Sequence, residues 1–133
     1  MCIRDSYNTL TTFNTFFKYK DDKAHLEYSC KLIELDDNKK IQQIRYNNRT
    51  EVIPYANPLA ISRYVEARSK FWQLIKNPLN NIKIKQKSGD MLILDNYRVL
   101  HGRSEYTEIN NRRYFRQGYM DRDIFLSKLK TIN

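Results

Sequence analysis

The residues most able to do chemistry surround a single histidine near the C-terminal end of the chain. Residues 91–94 are continuously apolar, which is typical of a strand buried on both faces, and Asp95 and Asn96 follow directly. His101 comes five residues after Asn96 and is followed by Gly102. Imidazole is a frequent metal ligand. His101 is therefore a candidate metal ligand, and a hydrogen-bonded core histidine is the alternative.

Three arginines that follow this histidine could each bind a carboxylate. Arginine offers two parallel N–H donors, so it suits bidentate carboxylate binding better than lysine does. In a strand over residues 111–119, alternation would separate Arg112 and Arg116 from Arg113. The face of Arg113 carries less charge, so we predict that it points inwards, where an arginine requires an anion. A surface or structural ion pair is the alternative. The predicted inner face consists of Arg113, Phe115, Gln117 and Tyr119.

Strands and helices recognisable from the hydrophobic pattern must position these residues. The pattern predicts strands over residues 10–19, 25–35 and 41–46, the second of them bulged. The turn residues Asp36-Asp37-Asn38 would join the last two strands as a hairpin. Residues 1–6 show neither a helical nor a strand period, and we expect them to be an artefactual leader that takes no part in the fold prediction.

A helix of about five turns is predicted to begin at Asn57-Pro58 and to end at Asn77-Pro78. Arg68 is the one charged residue at its apolar positions. Further elements are predicted as a half-exposed strand at Ile82 and Ile84, a tight turn at Ser88-Gly89-Asp90, the buried strand at residues 91–94, a strand at residues 111–119 and a helix at residues 121–129. This order favours a mainly β fold with packed helices, one part of an antiparallel sandwich or barrel.

The segment GDMLILDNYRVLHGRSEYTEINNRRYFRQGYMDRD resembles the distal half of the catalytic core in γ-butyrobetaine and trimethyllysine hydroxylases, within the wider TauD/TfdA family. The shared features are the Gly-Asp turn, the Leu-His-Gly-Arg block, and the later Arg and Tyr-x-x-x-Asp. The earlier sequence IRYNN, which contains Asn47, also resembles these enzymes. The resemblance covers nearly all of residues 7–129. It implies that residues 7–133 are the C-terminal portion of a catalytic domain with a double-stranded β-helix (jelly-roll) core.

The same resemblance implies roles for four residues. Iron(II) in this family is held by two histidines and one carboxylate, of which His101 would be the distal histidine. Arg113 would bind the co-substrate 2-oxoglutarate. Tyr119 would help to form an aromatic cage around a trimethylammonium group by cation–π attraction, with a plain core tyrosine as the alternative. Asn47 would contact the carboxylate end of the substrate, with a turn residue as the alternative.

From these roles we expect an Fe(II)- and 2-oxoglutarate-dependent dioxygenase that hydroxylates a trimethylammonium-bearing acid such as γ-butyrobetaine, as in carnitine biosynthesis. One alternative is an oxygenase of the same family with another small-molecule substrate. Others are a non-catalytic basic β-module that binds nucleic acid and a degenerate sheet domain used for association. The resemblance leaves open a requirement for ascorbate and a homodimeric assembly of the full-length protein.

The resembled enzymes carry a His-x-Asp motif upstream of this region, and no such motif occurs in this sequence. His25 and Glu27 form a His-x-Glu pattern, which we interpret as a solvated pair on a strand. We therefore expect a protein truncated on its N-terminal side, with these 133 residues inactive by themselves.

Composition limits the remaining classes of partner and location. The net charge is +9, but the cations are scattered, so we expect no nucleic-acid partner. A small-molecule substrate is what the resemblance implies. No apolar window is long enough for a membrane span. The two cysteines do not form a disulfide framework, which predicts free thiols and a cytoplasmic protein.

Overall fold

The computed structural model describes residues 1–53, 55–105 and 114–132, in two compact units. The first unit spans residues 1–102 and the second spans residues 103–133. The first contains helix α1 (Ile3–Thr12), strands β1 (Thr15–Lys20), β2 (His25–Cys30), β3 (Ile33–Leu35), β4 (Ile41–Ile44) and β5 (Glu51–Val52), helix α2 (Pro58–Lys76) and a 3-10 turn (Pro78–Asn80). The second contains helix α3 (Arg122–Thr131).

Two antiparallel sheets form the first unit, in agreement with the predicted antiparallel pairing. One sheet has the strand order β2-β1-β5, and the other pairs β3 with β4. In the first sheet Asp21 closes the β1–β2 turn, since its Oδ1 accepts hydrogen bonds from the backbone N–H groups of Lys23 (2.8 Å) and Ala24 (2.7 Å). In the second, Asp36 Oδ1 accepts from Asn38 (2.9 Å) and Lys40 (2.8 Å). The second turn confirms the hairpin predicted at Asp36-Asp37-Asn38.

The strand predicted over residues 25–35 is divided between the two sheets. β2 ends at Cys30, and β3 begins at Ile33. Leu32 and Ile33 are consecutive and both buried, at 0% and 6% exposure. Successive side chains of one strand point to opposite faces, so a strand with one solvent face cannot bury both. The chain therefore changes sheet at this point.

Residues 1–6 show no helical or strand period in the sequence, yet α1 begins at Ile3. The cause is a capping box in which Asp5 N–H donates to Cys2 Sγ (3.4 Å) and Cys2 N–H donates to Asp5 Oδ2 (3.2 Å). The Met1 ammonium group also pairs with Glu66 of α2 at 2.8 Å. Whether residues 1–6 are an added leader stays a prediction.

The first predicted strand, over residues 10–19, begins inside a helix, because residues 10–12 belong to α1. α1 continues to Thr12, and β1 begins only at Thr15. The threonines that suggested a strand, Thr11 and Thr12, are accommodated in the helix because their hydroxyls donate to backbone carbonyls one turn earlier. Thr11 donates to Tyr7 (3.0 Å) and Thr12 donates to Asn8 (2.7 Å).

Helix α2 confirms the predicted boundaries. Asn57 Oδ1 accepts a hydrogen bond from Leu59 N–H at 2.9 Å, Pro58 occupies the first turn, and Asn77 caps the C-terminal end. Its inner face presents Tyr64 and Ala67, both 0% exposed. They pack with buried residues of the preceding elements, and the core comprises Leu10, Leu32, Ile33, Tyr64 and Ala67.

Tyr64 joins this core to the sheet of β1 and β5. Its ring stacks on Phe13 with centroids 4.5 Å apart, and its hydroxyl donates to the carboxylate of Glu51 in β5. Burial, together with this hydrogen bond, raises the pKa of Tyr64 far above its ordinary value of 10.0.

The strands predicted at Ile82 and Ile84 and at residues 91–94 are absent from the described part of the chain. Met91 and Ile93 are 84% and 76% exposed, so the predicted burial on both faces is also wrong for this structure. A strand requires a neighbouring backbone to pair with, and no described strand lies beside these residues. The predicted turn at Ser88-Gly89-Asp90 is present, with Gly89 at φ +89°.

In the second unit, the terminal helix is confirmed with slightly different bounds. α3 carries Asp123 in its first turn and Lys128 and Lys130 in its last, which complements the helix dipole. The described residues of the predicted strand, 114–119, are not in a strand. Among the described residues, no helix combines the length and apolarity needed to cross a bilayer. Both cysteines are free thiols, as predicted.

We predict that Leu32→Ala lowers the free energy of unfolding by roughly 2–5 kcal/mol, because it leaves a cavity where the chain changes sheet. Leu26→Ala is the matched control, since Leu26 is 62% exposed on β2 and its loss should cost less than about 0.5 kcal/mol. Urea unfolding of the two variants measures the difference. Equal destabilisation by both substitutions would contradict this placement of the core.

We predict that Tyr64→Phe costs about 1 kcal/mol of unfolding free energy at neutral pH, through the lost hydrogen bond to Glu51. The folded-state pKa of Tyr64 is raised, so this contribution is present below pH 10.0 and is lost as the pH rises further. Unfolding measured across this range should show the wild type and the variant converging. Tyr28→Phe, at a tyrosine that is 56% exposed, should show no such pH-dependent difference.

Candidate functional site

His101 lies at the end of an irregular segment that a turn attaches to β4. Asp95 forms the turn, since its carbonyl accepts hydrogen bonds from the N–H groups of Arg98 (3.0 Å) and Val99 (3.1 Å). Ile44 N–H in turn donates to the carbonyl of Tyr97 at 3.1 Å. His101 thus lies four residues beyond the carbonyl that is hydrogen bonded to β4, and its side chain is exposed.

The described residues do not form a metal centre by themselves. Within them, no group of three His, Cys, Asp or Glu side chains is arranged to hold a metal ion. An iron(II) site of the facial-triad type requires three such ligands. The described part of the chain therefore offers His101 as one ligand at most.

His25 and Glu27 lie at exposed positions of β2. Glu27 forms a cross-strand ion pair with Lys18 at 3.0 Å. The structure thus places the two residues of the His-x-Glu pattern on a solvated strand, as the sequence suggested.

Asn47 lies in the connection between β4 and β5, residues 45–50, here named the Asn47 loop. Its Oδ1 accepts a hydrogen bond from Arg49 N–H at 2.8 Å, and its carbonyl accepts one from Glu51 N–H at 3.3 Å. Asn47 is therefore a turn residue, which was the alternative to a substrate contact. The two roles are compatible, because no hydrogen bond among the described residues uses its Nδ2 amide group, which remains available as a donor.

An ion pair between Arg68 of α2 and Glu51 of β5 holds this loop, and neither residue was predicted to have a functional role. The side chain of Glu51 is 3% exposed and accepts from Arg68 Nε (3.0 Å to each oxygen) and Nη2 (2.8 Å). These hydrogen bonds raise the pKa of Arg68. The signal was present in the sequence, where Arg68 is the charged residue at the apolar positions of the helix.

An open cavity of about 310 Å³ borders this ion pair. Aromatic side chains form one wall, where Tyr46 and Trp72 stack with centroids 5.5 Å apart at 8°. Burial raises the pKa of the Tyr46 hydroxyl. The lining residues are Tyr46, Glu51, Ile53, Val65, Arg68, Ser69 and Trp72.

Two of the arginines compared in the sequence analysis, Arg112 and Arg113, lie outside the described residues. The predicted inward orientation of Arg113 and its role in binding 2-oxoglutarate therefore stay predictions. Tyr119 is described in the second unit and is 80% exposed.

Two side-chain hydrogen bonds join residues of the same predicted face beyond Arg113, although these residues are not in a strand. Arg116 Nε donates to the Tyr114 hydroxyl at 2.9 Å, and Gln117 Nε2 donates to the Tyr119 hydroxyl at 2.5 Å. These contacts join residues two apart, as expected for an extended backbone. The described residues of the face assigned to the interior, Phe115, Gln117 and Tyr119, are exposed, so the prediction that they point inwards is wrong for this structure. The guanidinium of Arg103 lies over the Phe115 ring, 4.3 Å from its centroid.

Comparison with known proteins identifies the family. Residues 3–119 match the model of the taurine catabolism dioxygenase TauD, TfdA family. The chain is 30% identical over 104 residues to a trimethyllysine dioxygenase of Meyerozyma guilliermondii, which covers 77% of this chain and 25% of the relative. It is 32% identical over 106 residues to the human γ-butyrobetaine dioxygenase, covering 77% of this chain and 27% of the relative.

A bacterial relative extends the match. The chain is 28% identical over 126 residues to a γ-butyrobetaine dioxygenase of Pseudomonas sp. strain AK-1, which covers 93% of this chain and 32% of the relative. The chain thus spans about a quarter to a third of the length of these relatives. The family in general uses Fe(II) and 2-oxoglutarate and has a jelly-roll oxygenase fold. Because the family model matches most of its length, the chain belongs to the TauD/TfdA family of dioxygenases.

Proposed function

We propose that the full-length protein is an Fe(II)- and 2-oxoglutarate-dependent dioxygenase that hydroxylates a trimethylammonium-bearing acid such as γ-butyrobetaine. The observation that carries the proposal is the match of residues 3–119 to the family, together with relatives named for γ-butyrobetaine and trimethyllysine. Both named molecules carry a quaternary ammonium group and a carboxylate. The proposed reaction belongs to the type found in carnitine biosynthesis.

Within this proposal, His101 supplies one ligand to the iron, and the remaining ligands lie outside the described residues. The absence of a three-residue metal group among the described residues is the reason for this division. The apolar and exposed residues 91–94 would then be strand residues of a complete double-stranded β-helix, paired with strands from elsewhere in the protein.

Three further residues bind organic molecules in this proposal. Arg113 binds 2-oxoglutarate, because a guanidinium can donate two parallel hydrogen bonds to its carboxylate. Tyr119 contacts the trimethylammonium group, which cannot donate hydrogen bonds and is attracted to an aromatic face. Asn47 contacts the carboxylate end of the substrate, and its uncommitted Nδ2 donor supports this role.

A second candidate is an oxygenase of the same family with a different small-molecule substrate. The supporting observation is that relatives with two different substrate names match at nearly equal identity, 30% and 32%. A requirement for ascorbate and a homodimeric assembly belong to either candidate.

Turnover by the full-length protein tests the proposal. With Fe(II), 2-oxoglutarate and ascorbate, we expect succinate and a hydroxylated product, measured by mass spectrometry, from γ-butyrobetaine or trimethyllysine. Removing the metal with a chelator should abolish turnover. Succinate release that depends on neither acid favours the second candidate, whereas no turnover with any small molecule contradicts both.

We predict that His101→Ala lowers kcat at least about 100-fold, since even the outer hydrogen-bond partners of metal ligands contribute roughly 10- to 100-fold to metal affinity or activity.

We predict that Arg113→Lys raises the KM for 2-oxoglutarate roughly tenfold, because lysine keeps the charge but loses the bidentate geometry. Arg63→Lys is the matched control on the exposed face of α2 and should leave both constants unchanged. An unchanged KM in Arg113→Lys would remove Arg113 from the site.

A further inference from the structure

One row of side chains on α2 contacts the Asn47 loop and the start of β5. Tyr64, Arg68 and Trp72 are spaced four residues apart, so they lie along the same face of the helix. Tyr64 donates to Glu51, Arg68 binds Glu51, and Trp72 stacks on Tyr46. The helix face thus touches both ends of the segment that contains Asn47.

Arg68 makes the central contacts in this row. Besides its bonds to Glu51, its Nη2 donates to Asn48 Oδ1 at 2.8 Å. Its guanidinium carbon also lies 4.4 Å from the ring centroid of Tyr46. One guanidinium therefore contacts the residues immediately before and after Asn47, and the first residue of β5.

Asn47 has few other constraints, because it is exposed and its hydrogen bonds are to Arg49 and Glu51 of its own turn. The bond from Arg49 N–H identifies the oxygen of its amide and directs the Nδ2 group away from the turn. The orientation of this donor consequently depends on the orientation of the loop. The loop is attached to the helix through Arg68 and through the Tyr46–Trp72 stack.

We infer that Arg68 is a positioning residue for recognition of the substrate carboxylate, acting by holding the Asn47 loop against α2. The inference rests on the proposed function, which places Asn47 at the carboxylate end of the substrate. The geometric reason is the fork of Arg68, which spans the loop between Tyr46, Asn48 and Glu51. Lysine cannot reproduce this fork, since its ammonium group is a point charge.

The test uses the full-length protein and two ligands, γ-butyrobetaine and an analogue in which a primary alcohol replaces the carboxylate. Arg68→Met keeps most of the aliphatic stem and removes the fork. We expect it to raise the KM for γ-butyrobetaine about tenfold while the inhibition constant of the alcohol analogue stays within about twofold, as for the loss of one charge-assisted contact. Arg63→Met, which removes an exposed guanidinium from the same helix, should change neither constant.

A double-mutant cycle separates positioning from general destabilisation. If Arg68 acts through Asn47, Arg68→Met adds nothing to the KM of Asn47→Ala. Additive effects, or equal losses for both ligands, overturn the inference. Arg68→Lys serves as a second variant if Arg68→Met does not fold, with the same ligand selectivity expected at smaller size. A wild-type protein that binds and turns over neither γ-butyrobetaine nor trimethyllysine overturns the proposed function instead, and this outcome is seen before any variant is made. If trimethyllysine alone is turned over, the same comparison is made with trimethyllysine and its alcohol analogue.

Discussion

The first unit of the structure depends on one buried carboxylate. The side chain of Glu51 is 3% exposed, and an ionised carboxylate in that environment requires a paired cation and several hydrogen bonds. Arg68 provides the cation in a bidentate arrangement, and Tyr64 provides a hydroxyl donor. Because these partners all come from α2, the carboxylate locks that helix to β5 and, through β5, to the larger sheet.

The candidate residues differ in how many contacts hold them among the described residues. The Asn47 loop is hydrogen bonded within itself and to α2. His101, by contrast, follows a turn pinned to β4 but stands at the end of exposed, irregular chain. A metal ligand must be held in a precise orientation to act with other ligands. The proposed role of His101 therefore requires surrounding structure that the described residues do not provide.

The two ends of the proposed substrate would be recognised by different physical interactions. A carboxylate is matched by N–H donors, and the Nδ2 group of Asn47 is one donor whose direction the turn determines. A quaternary ammonium group presents only methyl groups and charge, which favours aromatic faces such as that of Tyr119.

Local signals determined much of the fold from the sequence alone. Asn57-Pro58 and Asn77-Pro78 bounded α2 correctly, and the Asp36 turn predicted its hairpin, because caps and turns are formed by residues close in sequence. The block around His101 also identified the family. The helix α1 was missed because threonine has ordinary strand propensity, and only the back-bonded hydroxyls and the Cys2 cap reveal the helix.

Long-range contacts decided the rest. The division of residues 25–35 between two sheets, the exposure of residues 91–94 and the pairing of Arg68 with Glu51 all depend on which distant backbone or side chain lies alongside. Periodicity reports a preference for burial but not the presence of the neighbour that supplies it. The sequence by itself therefore determined the ends of α2, the turns and the family, whereas only tertiary structure decided which strands pair and how α2 holds the Asn47 loop.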